Sequence, residues 1–174
     1  MNTLNKRSRA ALLAAVALVA LGAAAAVAQK QLAARATGRP EIKVTLSGAV
    51  ARGEDSVALD KAGSVHPGEV LDWKITSANE GDGAARQYKT VGHVPQGTSF
   101  VAGSATAEYG AEVSYSIDNG KSFAAQPTVE EKQADGTVKR VPAPVSMYTE
   151  VRYEWADPLA ASSTLTANYK VRVK

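Results

Sequence analysis

The chain has 174 residues, of which 20 are Lys or Arg, 17 are Asp or Glu and none is Cys. The absence of cysteine excludes thiol catalysis, thiolate metal ligation and disulfide bracing, so any folded domain must be held by its core alone. The formal net charge is +3, but the first 40 residues hold six basic groups (Lys6, Arg7, Arg9, Lys30, Arg35, Arg39) and no acid, leaving 14 basic against 17 acidic groups from Glu41 onward; a basic face for nucleic acid is not supported.

Residues 1–28 carry the parts of a secretory signal. The start is basic, an apolar run over residues 10–28 is broken only by Gly22, and Ala26-Val27-Ala28 precedes Gln29 in the small-x-small pattern of a cleavage site. The expectation is export with cleavage after Ala28. The apolar run is also close to the ~20 residues that span a bilayer, so the alternative is an uncleaved N-terminal membrane anchor. Membrane contact is expected only if residues 10–28 are retained. No cysteine follows the cleavage site and no twin-arginine pair precedes it. Residues 29–40, QKQLAARATGRP, lack strand alternation and read as a linker or N-terminal arm.

From Glu41 onward the pattern is strand after strand. Ile42, Val44 and Leu46 alternate with polar residues, and so do Leu71, Trp73 and Ile75. The same period of two recurs in Val113, Tyr115 and Ile117, in Val151, Tyr153 and Trp155, and from Leu165 through Ala167, Tyr169 and Val171 to Val173. Strict alternation predicts one buried and one wet face per strand, with both tryptophans turned inward. Less regular strands are predicted over residues 85–91 and 98–102, and short ones near 56–59, 122–124 and 137–141. HPGE, NEGDG, VPQG, DNGK and ADGT supply the turns between them. Residues 125–147 hold three prolines and charges of both signs, and are expected to form a hairpin around Asp135-Gly136 that projects from the domain. The prediction is a single all-β domain over residues 41–174, an immunoglobulin-like β-sandwich of roughly seven to nine mostly antiparallel strands.

These residues resemble a known family, the bacterial and archaeal surface module catalogued as domain of unknown function eleven, an immunoglobulin-like conserved repeat domain. The matching runs are Pro67-Gly68-Glu69, Trp73-Lys74-Ile75-Thr76, NEGDGAA from Asn79 to Ala85, VPQGTSFVAGS from Val94 to Ser104, and YSIDNGKSF from Tyr115 to Phe123. The final 25 residues before the terminal lysine resemble the family's closing strand pair. Two positions depart from the pattern: Gly92 stands where the family often has Asp, and Ala160-Ala161-Ser162-Ser163 replaces a common Pro-Gly. The domain occurs here as one copy, which weakens a stalk or spacer role. The resemblance implies an envelope or extracellular interaction module with turn and core chemistry and no catalytic residues. It fits Gly68, Gly81, Gly83, Gly97 and Gly103 to left-handed turn positions, Pro95 to a turn, and Trp73 and Phe100 to the core.

Sharper chemistries are weighed residue by residue. His66 and His93 could ligate a metal only if they met beside an acid such as Glu69 or Asp72. NEGDG and DNG lack the full ligand spacing of a calcium loop. Lys43 and Asn168 would suit an isopeptide crosslink, but each is out of phase with its strand's apolar face and should point to water. A Ser-His-Asp hydrolase would need a nucleophile elbow, and no GxSxG is present. Exposed aromatics mark sugar sites, and Tyr88, Tyr109 and Tyr148 are the candidates together with residues 125–147. No catalytic, cofactor-binding or metal-ligating residue is assigned.

The functional expectation is a non-catalytic exported cell-envelope protein, a structural or interaction subunit of a surface layer or outer-envelope complex. Its partners would be other envelope or surface proteins or further copies of itself. The alternatives are a carbohydrate- or ligand-binding module, and a fibre subunit assembling by β-strand addition.

Overall fold

Period-two alternation yields three long strands, β1 (Ile42–Arg52), β3 (Val70–Asn79) and β11 (Thr164–Val173), in a computed structural model that describes residues 38–53 and 55–174. The predicted signal over residues 1–28 and most of the arm over residues 29–40 lie outside the described residues. The remaining strands are β2 (Asp55–Ala58), β4 (Lys89–His93), β5 (Thr98–Phe100), β6 (Thr106–Ala107), β7 (Glu112–Ser116), β8 (Thr128–Lys132), β9 (Val138–Pro142) and β10 (Glu150–Glu154). Every strand pairing is antiparallel. One sheet runs β2-β1-β3-β11-β5, with β6 also on β11; a second runs β4-β10-β7; β8 and β9 form a two-stranded sheet of their own.

The first two sheets make the sandwich. Inward residues of β3 and β11 (Leu71, Ile75, Leu165, Ala167, Tyr169, Val171) meet Val151 and Tyr153 from β10, and Trp155 just after it, in one apolar core. Val151 and Val171 are fully buried, which stabilises the fold by roughly 1.5–3 kcal/mol for each side chain. Two tyrosines stitch the sheets together. The Tyr153 hydroxyl donates to the Asn168 carbonyl at 2.6 Å and the Tyr169 hydroxyl donates to the His93 carbonyl at 2.7 Å. Burial pushes the Tyr169 hydroxyl up to about 12 and raises that of Tyr153 as well, so both remain protonated donors.

Two glycines on inward positions seat aromatic rings. A Cβ on Gly92 would overlap the Tyr169 ring, and one on Gly48 would stand 2.8 Å from Trp73 Cζ3. An Asp at the position of Gly92 therefore has no room here. Trp155 is buried as predicted, whereas Trp73 is only half-buried.

Eleven strands stand among the described residues where seven to nine were expected. Residues 122–124 give only a bridge from Ala124 to Tyr115, and the strand predicted over residues 85–91 begins later, at Lys89. The predicted hairpin over residues 125–147 is present as β8 and β9, whose faces are largely exposed.

The turn glycines divide. Gly68, Gly97 and Gly103 have the expected positive φ; Gly81 and Gly83 do not. The NEGDG turn is held instead by the buried Asn79 side chain. Its Oδ1 accepts the Glu41 and Gly81 N–H groups at 3.1 and 3.2 Å. Its Nδ2 donates to the Gly83, Leu159 and Ala160 carbonyls at 2.7, 3.1 and 3.1 Å.

Candidate functional site

The register of β1 creates an open edge. On one side β1 pairs with β3 from Ile42 to Val50, and on the other β2 covers only Ala49 to Arg52. The Leu59 N–H donates to the Gly48 carbonyl and the Glu80 N–H donates to the Glu41 carbonyl. Even-numbered residues of β1 therefore aim their backbone groups away from β3, and odd-numbered ones aim them toward it. Ile42, Val44 and Leu46 thus present N–H and C=O to a side on which no described strand pairs.

Their side chains lie on the core-facing side of the sheet, since Val44 sits opposite buried Ser77 and Leu46 opposite buried Ile75. Val44 is nevertheless 54% exposed and Leu46 55% exposed. The sequence predicted the face correctly and its burial wrongly. Three strands oppose six, and the smaller sheet leaves Val44 and Leu46 of β1 uncovered while Ile42 still packs against the core. An apolar stripe and an unpaired backbone edge coincide over residues 42–47. Ser77 Oγ and Trp73 Nε1, buried on this same face, have no hydrogen-bond partner among the described residues.

The residues weighed for metal binding serve other purposes. Glu69 accepts Arg52 Nε–H at 2.9 Å and the His66 backbone N–H at 2.7 Å, and these two contacts hold its carboxyl below the usual range. Arg52 also donates to the Ala62 and Ser64 carbonyls, pinning the loop before β3. Asp72 accepts Lys170 Nζ at 2.7 Å. His93 Nδ1 stands 3.8 Å from Glu150 Oε1 at the end of β4. Among the described residues, no three His, Asp or Glu side chains converge as a metal-ligating set.

The DNG turn is built by Asp118. Its carboxylate accepts the Ser116 hydroxyl at 2.7 Å, and the Ser122 N–H and hydroxyl at 2.9 and 2.6 Å. Asn119 and Gly120 both take positive φ, 56° and 80°, as a two-residue hairpin turn requires. The Ser122 hydroxyl and N–H, then the Ser116 hydroxyl, lower the Asp118 carboxyl to about 2. A depressed carboxylate stabilises the fold above its unfolded value of 3.8, and that stabilisation is lost as pH falls through about 2. The expected result is an Asp118 carboxyl resonance that titrates near 2 in an acid NMR titration; a midpoint near 3.8 would contradict the turn geometry.

Lys43 and Asn168 stand on opposite sides of β3, opposite Ala78 and Lys74 respectively, on the outward face that parity predicts. Lys43 Nζ lies 3.4 Å from Glu80.

The three candidate tyrosines separate. Tyr88 stacks on Trp155 at 5.7 Å, and Tyr148 stacks on Tyr115 at 4.8 Å beside Phe100. Tyr109 alone of the three is open, 81% exposed. It holds φ 56° and ψ 32°, a left-handed conformation that is strained for a bulky side chain. It borders a cavity of about 210 Å³ lined also by Trp155, Asp157, Leu159, Ser163 and Leu165. Trp155 Nε1 donates to the Glu108 carbonyl at 2.8 Å, fixing the turn that carries Tyr109.

Fold and surface together define an antiparallel β-sandwich in which the first part of the β1 edge pairs with no described strand. No family model matches the chain, and neither a curated protein nor a solved structure matches it. Among the described residues, no helix is long and apolar enough to cross a membrane.

Proposed function

We propose that the protein is a non-catalytic interaction subunit of an exported cell-envelope assembly, working by backbone pairing at the open edge of β1. The observation that carries this reading is the coincidence of unpaired backbone and exposed Val44 and Leu46 over residues 42–47. Strand addition takes its affinity from main-chain hydrogen bonds and its specificity from alternate side chains, and this edge offers both. Support for export comes from the signal pattern of residues 1–28. The ordered turn and core motifs shared with the immunoglobulin-like conserved repeat family support a surface role.

A second reading, a carbohydrate-binding module, is favoured by Tyr109 alone, an exposed ring in a strained backbone beside a cavity floored by Trp155. One experiment tests both. In fractionated cells the protein is expected in the exported envelope fraction, within a complex of higher mass. The double substitution Val44→Lys with Leu46→Lys is expected to release it to low mass, and Tyr109→Ala is not. Release by Tyr109→Ala or by free sugar, with the β1 variant still retained, would favour the carbohydrate reading instead. Wild-type protein found only at monomer mass would sink the proposal.

A further inference from the structure

We infer that the occupant of the β1 edge is a second copy of this chain, joined antiparallel about a two-fold axis through Val44. The inference rests on the interaction reading above and adds the identity of the partner.

The register follows from the strand itself. The uncovered window is the run of outward-facing residues Ile42, Val44 and Leu46, because Gly48 is already bonded to Leu59 and Pro40, which has no N–H to offer, precedes the strand. The midpoint of that window is Val44. About this centre Val44 opposes Val44 of the second copy, and Ile42 opposes Leu46. These are the residues whose N–H and C=O face outward, so the three opposed pairs close six backbone hydrogen bonds.

The side chains agree with the same axis. Ile42, Val44 and Leu46 share one face, so the pairing lays the two exposed apolar stripes side by side, apolar against apolar at every position. On the other face Lys43 opposes Thr45 and Glu41 opposes Ser47, so no charge faces its like directly. Lys43 meets its own copy only diagonally, and each is held near Glu80 at 3.4 Å.

Apart from the outward-pointing Lys43, the usual guards of an exposed edge are missing among the described residues. Residues 42–47 contain no proline, no bulge and no inward-pointing charge; their register with β3 is unbroken. Such an edge is a template for pairing with another chain. Closure by a two-fold axis consumes both edges at once and gives a dimer rather than a fibre.

About seven residues a side fall well short of the roughly 20–30 of a standard interface, so the dissociation constant is expected between about 10 μM and 1 mM. The test is analytical ultracentrifugation of the purified protein over that range. Wild type is expected to move from monomer toward twice the monomer mass. Val44→Glu and Val44→Lys each place like charges on the axis and should weaken association at least about tenfold, a change of about 1.4 kcal/mol. Val44 is more than half exposed, so neither substitution removes core packing. Mixing the two variants sets Glu against Lys across the axis, and association should return.

A wild-type monomer at about 1 mM would overturn the inference. So would unchanged dimerisation of Val44→Glu, or a mixture that associates no better than its components. If the protein is monomeric while its envelope retention still depends on Val44 and Leu46, the edge reading stands and the second copy falls. If retention is independent of the edge, the functional reading falls whatever the dimer does.

Discussion

Asn79→Ala is expected to lower the free energy of unfolding by about 3–5 kcal/mol, among the largest effects of any single substitution in this domain. The side chain is buried and joins four segments: the start of β1, the end of β3, the turn after it and the turn at residues 159–160. Alanine would orphan the Glu41 and Gly81 N–H groups and the Gly83 carbonyl, while the Leu159 and Ala160 carbonyls would keep only the Ala85 and Ser163 N–H donors. Each buried polar group left without a partner costs about 1–3 kcal/mol, tempered where water can enter. Aspartate, nearly the same size, should be worse than alanine at neutral pH, because it would aim a carboxylate oxygen at those carbonyls. Denaturant titration measures both. An Asn79→Ala midpoint within error of wild type would mean that the turns hold themselves.

The second large effect falls at Gly92. Its Cα faces the Tyr169 ring across the sandwich, and an added methyl group would occupy the ring's space. The ring cannot back away freely, because its hydroxyl donates to His93, the next residue along β4. Overpacking costs about 1–3 kcal/mol and the strained hydroxyl bond about 1 kcal/mol more, so Gly92→Ala should lose about 2–4 kcal/mol in total. Gly92→Asp should lose more, since a carboxylate would be desolvated as well. The cause is separable by a double-mutant cycle. With Tyr169→Leu in place, Gly92→Ala should become markedly cheaper. Equal cost in both backgrounds would assign the effect to β4 itself rather than to the ring.

Much of the fold was legible in the sequence, because alternation reports directly which face of a strand turns inward. It does not report whether anything covers that face. Val44 and Leu46 satisfy the same pattern as Leu165 and Tyr169, yet the first pair is open and the second closed; the difference lies in the width of the opposing sheet, a long-range property. The open edge could not be seen for the same reason, since β2 covers only the second half of β1. Asn79 was missed for a different reason. Its sequence suggested an Asx-Gly turn made by glycine dihedrals, while the turn is made by its side chain. The available signal was phase: Asn79 follows Ile75 and Ser77 on the inward parity of β3, and a polar residue on that parity must bond to something. Gly92 carries a similar mark, falling between buried Thr90 and Val94 on the inward parity of β4. Of the three tyrosines weighed as a sugar platform, sequence could not separate Tyr109 from Tyr88 and Tyr148, because ring stacking with Trp155 and Tyr115 depends on contacts made across the sandwich.

The β8–β9 hairpin has a practical side. Its two ends are clasped where the Ala143 N–H donates to the Pro127 carbonyl at 2.8 Å. Everything beyond that clasp pairs with itself, through a ladder from Thr128 opposite Pro142 to Lys132 opposite Val138 and a tip tied by Asp135 and Thr137. The scaffold therefore ends at the clasp and treats the hairpin as an attachment. Lengthening such a segment costs loop entropy that grows only logarithmically, about 0.6 kcal/mol per doubling. That makes the clasp a natural grafting port, where an epitope, a fluorophore site or a foreign binding loop can be installed while the sandwich keeps its register.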